Sequence, residues 1–489
     1  MSKKKTQAAF SVRGGKMRLQ RRRPMDYSKR ENNVLQGISP EKNRLYFLGI
    51  GGVSMSALAD LAARRGYTVA GSDRTDSAHC ERLRQRGITV DIGHDAKKIG
   101  QQDVIIYNAA IAADNPQFLR AKELGLRMIY RTDFLAALMS GHKNAVGIAG
   151  MHGKSTTSAM LSHLFLDAGR DPSILIGAEL AQIHGAYHLG QGDDFIFEAC
   201  EYRDSFLSLQ PSIAVVLNAE MDHPDYFHDI DQVCTSFHRY LNLPGRDGYA
   251  VVNADCANTM RAAQGIVPHL VSFGVEQAAD FRAVAIGEQG GFPSFTVLRN
   301  GEEWCRVQLR VGGHHNIYNA LACCACADLC GIEKEAVRSG LESFTGAHRR
   351  MEYKGRFPGR DVAVYDDFGH HPTEVLSTLR GARALCRGRL FCVFQPHTYS
   401  RTKALFDDFT KAFAPADETF FVDIYAAREP FDASVSSAQL AAATPHARYF
   451  SDYAVLTEAL GQELMDGDML VIMGAGDIEA YAKRFEDHA

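Results

Sequence analysis

The stretch Ala145-Val146-Gly147-Ile148-Ala149-Gly150-Met151-His152-Gly153-Lys154-Ser155-Thr156 decides how the rest of this chain is read. Its first five residues, small or branched and apolar, predict a buried strand. Two glycines then predict a turn, and Ser155–Ala168 predicts a helix. A glycine turn between strand and helix points backbone N–H groups and the positive helix end outward, a cradle for phosphates. Lys154 is placed to reach β- and γ-phosphates, and the Ser155 hydroxyl to ligate Mg²⁺. Only the GxxGK[ST] half of the full phosphate-loop pattern is present, because Ile148 stands five residues before Gly153.

Two strand ends downstream supply the context. Phe195-Ile196-Phe197 runs into Glu198, and the apolar run Ile213–Leu217 leads into Asn218-Ala219-Glu220-Met221-Asp222-His223-Pro224. In parallel α/β sheets, ligands gather at the carboxyl ends of strands. Alone, Glu198 reads as a surface carboxylate and His223 as a turn residue. Placed after apolar strands and downstream of the phosphate loop, both are expected to converge with Ser155 on a hard cation.

Upstream, Tyr46–Ile50, Thr68–Gly71, Asp103–Asn108 and Arg127–Tyr130 read as strands alternating with helical stretches such as Met55–Arg65, the pattern of βαβ units. Between the first strand and that helix stands Gly49-Ile50-Gly51-Gly52-Val53-Ser54, a dinucleotide-like loop with Ser54 where a third glycine is usual. Asp73 closes the next strand where a ribose-binding acid is expected. A nicotinamide cofactor and a nucleotide-sugar diphosphate both satisfy this loop. Beyond residue 280 the chain alternates like antiparallel strands up to 312. A Gly- and Arg-rich stretch, Phe344–Gly355, reads as a linker. In the last third, Asp366-Asp367-Phe368-Gly369-His370-His371-Pro372 and Gln395-Pro396-His397-Thr398-Tyr399-Ser400-Arg401 each follow a strand, so both polar clusters are expected at one cleft.

Composition sets the frame. A chain of 489 residues with 46% hydrophobic and 23% charged residues predicts about three globular domains. Its net charge of −4 gives the body no basis for nucleic-acid or membrane binding. Residues 1–43, with Arg21-Arg22-Arg23, are basic and lack an apolar core segment, so a disordered arm is expected rather than a signal sequence. With no long apolar run either, a cytoplasmic protein is expected. The 11 cysteines show no disulfide framework, and Cys323, Cys324, Cys326 and Cys330 read as small packing residues of a helix over Asn319–Leu329.

Taken together, these segments resemble the Mur ligase family. The shared strings run in family order: GIGGxxMS at 49–56, GxHGKST at 150–156, EACEYRDSF at 198–206, DHPDYF at 222–227, VVNADC at 251–256, HHNIYNALA at 314–322, FTGAHRRMEYKG at 344–355, DDFGHHPTE at 366–374, QPHTYSRT at 395–402 and MGAGDI at 473–478. The resemblance implies an α/β protein of three domains. They are a Rossmann-like UDP-binding domain over 44–132, a central P-loop ATPase-like domain over 133–345, and a C-terminal Rossmann-like domain over 346–489 that brings the amino acid. It implies ATP and Mg²⁺ as cofactors and, best matched by the alanine-adding members, UDP-N-acetylmuramate and L-alanine as substrates. The implied reaction phosphorylates the lactyl carboxylate, and the alanine amine then displaces phosphate.

Carried over by position, Gly150, Met151, His152, Gly153, Lys154, Ser155 and Thr156 handle ATP, with Asn316 and Asn319 on its adenine side. Ser155, Glu198 and His223 hold Mg²⁺. Gly49, Gly51, Gly52, Ser54 and Asp73 face the UDP substrate. Arg349 bridges the ATP side and the third domain, while His370 and Arg401 lie near the amino acid; the implied catalytic set is Lys154, Glu198, His223, Arg349 and His370. The stretch Glu220–Asp247 contains no lysine, so a second metal on a carbamylated lysine is not expected. Met151, Ser155, Phe368 and Ser54 depart from the family's usual residues, and Phe368 lacks a hydroxyl on the amino-acid side. Competing readings are a peptide-adding ligase, a folylpolyglutamate-type synthase, a nicotinamide dehydrogenase and a non-catalytic ATP-binding regulator. The phosphate loop and Ser54 weigh against the dehydrogenase, and the intact Lys154, Glu198, His223 and Arg349 against the regulator.

Overall fold

The Ala145–Ala149 run does form a strand, Asn144–Ala149, buried throughout at the middle of the largest of the three sheets among the described residues. Val146 and Ile148 enter the core on one face, Ala145 and Ala149 the core on the other, as expected of a strand covered on both sides. The computed structural model describes residues 35–486, apart from Gln102, Ala109, Ser140, Gly141, Pro224, Asp225 and Arg428. Most of the basic arm, residues 1–34, lies outside them. Residues 35–43 are folded turns, a correction to the expected arm: Leu35 and Ile38 rest on the first domain's core, and Arg127 donates to the Gln36 carbonyl. Two isolated apolar residues are too few to register as a periodic pattern.

The first sheet is wholly parallel, in the order Thr89–Ile92, Thr68–Asp73, Arg44–Leu48, Asp103–Tyr107, Met128–Tyr130. The central sheet has ten strands. Its parallel middle runs His269–Gly274, Tyr249–Asn253, Ile213–Val216, Asn144–Ala149, Asp194–Glu198, Ser173–Leu180. Gly185–His188 adds antiparallel at one edge, and the meander Phe281–Gln289, Phe292–Arg299, Glu302–Gln308 extends the other. The third sheet orders Glu352–Arg356, Ala363–Asp367, Met469–Met473, Leu390–Phe394, Glu418–Phe421, Ala447–Tyr449, parallel except for its first strand. Phe344–Gly355 is therefore more than a linker. Phe344 is fully buried, and Glu352–Gly355 already belong to the third sheet. Its arginines and glycines disguised a short edge strand.

The helix Lys154–Asp167 packs against His315–Leu329 and Lys334–Ser343. Ala320, Ala322, Cys323, Cys324, Ala325 and Cys326 are all buried along the second helix, and small side chains let the two helices approach closely. All 11 cysteines are free, and burial raises the thiol pKa of Cys323, Cys324, Cys326 and Cys330. These are packing residues. No helix among the described residues is long and apolar enough to cross a membrane.

Candidate active site

The phosphate loop owes its shape to Gly153, which caps the helix at φ +83, a conformation that L side chains rarely adopt. A Cβ there would also stand 2.9 Å from Asn319 Oδ1. Lys154 Nζ donates to the carbonyls of Gly150 (2.5 Å) and Met151 (3.0 Å) and pairs with Glu201 at 3.0 Å. Burial disfavours the Lys154 ammonium, but Glu201 outweighs it and raises the pKa. Burial likewise works against the Glu201 carboxylate, and Lys154 and His223 overcome that and hold its pKa below normal.

Ser155 Oγ donates to Glu198 Oε2 at 2.9 Å, and the Gly177 N–H steadies the same oxygen at 3.0 Å. His223, at φ +53, meets Glu201 Oε1 through Nε2 at 3.1 Å. The expected metal set is thus split: Ser155 and Glu198 are in direct contact, while His223 pairs with Glu201, which in turn holds Lys154. Glu201 was missed. The available signal was its position three residues past Glu198, at the same strand end.

Arg349 corrects a second expectation. Its guanidinium turns into the third domain, donating to Asp366 Oδ2 (3.0 Å), Glu479 Oε2 (3.2 Å) and the Gly474 carbonyl (2.6 Å). Arg350 is the residue that bridges the domains, with Nη2 donating to Ser155 Oγ at 3.1 Å. Positive φ at Arg349 and Met351 alternates the side-chain directions, which one-dimensional reading cannot resolve. Both guanidinium carbons stand 5.2 Å from the Phe368 ring centre, so the phenyl serves as a cation–π platform.

The third domain closes against the central one elsewhere as well. Arg401 Nε donates to Asp222 Oδ1 at 3.2 Å, both side chains less than 10% exposed. Burial opposes the Asp222 charge, yet Arg401 holds its carboxyl well below the usual range. Burial pushes His370 and His397 down to about 4, so both imidazoles are neutral at pH 7. His152 lies between Glu220 (3.6 Å) and Glu374 (3.3 Å), with its ring centre 4.5 Å from that of His371. Between the two domains is a cavity of about 870 Å³, lined by His152, Gly153, Thr156, Asn316 and Asn319. Asn319 Nδ2 donates to Asn316 Oδ1, which orders this wall.

In the first domain, Asp73 Oδ2 accepts from the Gly51 N–H at 2.9 Å, so the acid props the glycine loop. Gly49 has φ +76, and Gly52 caps the helix Val53–Arg64. Ser54 Oγ accepts from Arg131 at 2.9 Å, a contact that a glycine there would lack.

Three α/β domains with a phosphate loop on the middle sheet and the third domain closed onto it define a class, and the family comparisons agree. Residues 44–143 match the Mur ligase family catalytic domain, 148–327 the Mur ligase middle domain, and 349–476 the Mur ligase glutamate ligase domain. The chain belongs to the Mur ligase family. More particularly, it is 41% identical over 450 residues to the UDP-N-acetylmuramate–L-alanine ligase of Clostridium acetobutylicum, covering 90% of this chain and 97% of that one. The crystal structure of the UDP-N-acetylmuramate–alanine ligase of Thermotoga maritima superposes with a TM-score of 0.75 at 25% identity, covering 90% of this chain and 98% of that one. A murein peptide ligase from Psychrobacter arcticus superposes at 0.68, also at 25% identity, covering 91% and 98%.

Proposed function

We propose that this protein uses ATP to join L-alanine to the lactyl carboxylate of UDP-N-acetylmuramate through an acyl phosphate, as a cytoplasmic step of peptidoglycan precursor synthesis. The observation that carries the reading is the Arg350–Ser155–Glu198 chain, which brings a third-domain cation onto the hydroxyl and carboxylate beside the phosphate loop.

Phosphoryl transfer asks a protein chiefly for positioning and charge neutralisation. Lys154, now on the loop's own carbonyls, swings to the β- and γ-phosphates, and Glu201 is left to hold His223. Ser155 and Glu198 are hard oxygen donors in contact, a pair that would hold Mg²⁺, and the ion would supply neutralisation of phosphate charge. His223 pairs with Glu201, the carboxylate that also holds Lys154. Asn316 and Asn319 line the adenine end of the cavity. Gly49, Gly51, Gly52, Ser54 and Asp73 receive the UDP group. Arg350 and Lys154 face the charge that develops on the transferring group, and the closed domains exclude the water that would hydrolyse an acyl phosphate. The amine enters by Arg401 and the neutral His370, where Asp222 offsets the arginine charge.

The test is phosphate release with UDP-N-acetylmuramate and each amino acid in turn. The expected result is turnover that needs both substrates and is fastest with L-alanine. Equal turnover with folates in place of the muramyl substrate would end the proposal. The likeness to the Psychrobacter peptide ligase supports a second reading, in which a whole peptide is the nucleophile, and a tripeptide arm of the same assay separates the two.

A further inference from the structure

At the wall of the same cavity, between the central and third domains, three side chains converge that the ligation steps give no role, although the backbone of one of them, His152, belongs to the phosphate loop. His152 comes from the phosphate loop, Glu220 from the segment after Ile213–Val216, and His371 from the cap of the helix Pro372–Leu385. Each brings one donor atom, and all three donors lie within 4.8 Å of one another. The His152 side chain is 11% exposed, His371 is 5% exposed, and Glu220 at 40% leaves one side open to solvent.

The surroundings orient these donors. His152 Nδ1 meets Glu374 Oε1 at 3.3 Å, which aims Nε2 at Glu220 Oε2, 3.6 Å away. That nitrogen is buried and has no hydrogen-bond partner. Burial opposes the His152 charge, but Glu220 and Glu374 outweigh it and raise the pKa to about 9. A metal therefore displaces the Nε2 proton while Nδ1 stays on Glu374, the carboxylate-held setting usual for metal-ligating histidines. Thr373 Oγ1 donates to Glu220 Oε2 at 2.9 Å and steadies the third ligand. Two donors each about 2 Å from a tetrahedral ion lie roughly 3.3 Å apart. His152 Nε2 and Glu220 Oε2 already stand at 3.6 Å, and His371 has to draw in from within 4.8 Å.

We propose that His152, Glu220 and His371 form a binding site for a Zn²⁺-class transition metal, distinct from the Ser155–Glu198 pair, which clasps the third domain onto the phosphate loop. Two imidazoles and one carboxylate suit Zn²⁺ or Co²⁺, whereas Mg²⁺ prefers a shell of oxygens. The exposed side of Glu220 leaves a fourth position for water. Binding costs His371 two contacts, Nε2 to the Met221 carbonyl and Nδ1 from the Thr373 N–H. Both are long at 3.3 Å and weakly held. Because the ligands come from two domains, the ion binds the closed arrangement and shifts the population toward it.

The probe is Co²⁺ added to the metal-stripped full chain in saturating Mg²⁺ and ADP, read by visible absorption. The expected result is one equivalent of Co²⁺ with the intense bands of tetrahedral coordination, retained against excess Mg²⁺. Glu220→Gln and His371→Asn should each weaken Co²⁺ binding roughly tenfold or more. The thermal melting of Glu220→Gln in EDTA should stay close to the parent's, and His223→Asn should leave the bands in place. Glu220 is partly exposed, so its variant folds even where the buried His371 position proves intolerant. Absent bands, weak octahedral bands displaced by Mg²⁺, bands that survive Glu220→Gln, or bands lost in His223→Asn would each overturn the site. Turnover is not needed for this readout, so it stands or falls apart from the proposed ligation.

Discussion

The loops Gly49–Ser54 and Gly150–Thr156 share one local plan: a central parallel strand, a glycine turn, then a helix. In each sheet the neighbouring strand ends in a carboxylate, Asp73 beside the first loop and Glu198 beside the second. Their partners differ. Asp73 takes the backbone N–H of Gly51, while Glu198 takes the hydroxyl of Ser155 and the N–H of a third segment, Gly177. The first loop thereby has one of its N–H donors satisfied by an acid of its own domain, and its nearby cation, Arg131, is held by Ser54. The second keeps a lysine inside the loop and draws an arginine from another domain. One backbone plan thus gives a loop braced within its own domain, the proposed seat of the nucleotide-sugar, in one place and a charge-gathering centre in the other. What differs is the side chains at the rim.

The largest test of this contrast is Lys154→Ala, which should lower kcat on the order of 10²–10³-fold in a folded protein. Steady-state phosphate release with a thermal melt checks it, and near-parental turnover would make the two loops equivalent. Next, Glu198→Gln should lower kcat roughly a hundredfold, as expected when transition-state charge stabilisation is lost. Asp73→Asn should instead raise KM for the UDP substrate, since it loosens a binding loop away from the reacting atoms. A kcat effect at Asp73 as large as that at Glu198 would break the comparison.

Arg349 and Arg350 sharpen it further, being adjacent in sequence and opposed in direction. Arg350→Ala should lower kcat with little change in melting. Arg349→Ala strips the partner from the fully buried Asp366 and should cost on the order of 3–5 kcal/mol of third-domain stability. Melting curves beside turnover distinguish the two.

The smallest effect concerns acid. Burial raises the pKa of Glu352, but His348 at 2.7 Å and the Arg349 N–H outweigh it and bring the carboxyl down to about 2. A carboxylate depressed in the folded state stabilises above its unfolded pKa, about 4.5, and that stability is lost as pH falls toward 2. Glu352→Gln should therefore destabilise the third domain by about 1–2 kcal/mol at pH 7 after screening. The gap from the parent should narrow steadily below pH 4.5 in urea titrations. A gap independent of pH would assign the effect to packing.

Much of the fold was legible because both faces of a parallel sheet are buried. Apolar runs such as Ala145–Ala149, Ile213–Leu217 and Leu390–Phe394 stand out for that reason alone. Glu352–Arg356 and Ala447–Tyr449 were not legible. Edge strands carry exposed polar residues and read as loops. At the site, residues at strand ends and in the glycine turns lie where the sequence pattern places them. Those placed by contacts across domains, Glu201 and Arg350 among them, were not legible.

By itself, then, the sequence determined the three α/β units, the phosphate loop with Lys154 and Ser155, and the carboxylates closing the strands. These are dictated by hydrophobic periodicity and by backbone conformations that only certain residues allow. Only the tertiary structure decided that Arg350 and not Arg349 reaches Ser155, that Glu201 joins Lys154 to His223, and that His152, Glu220 and His371 meet. Those choices depend on left-handed backbone at single residues and on how one domain closes on another. Neither leaves a period or a composition in the chain.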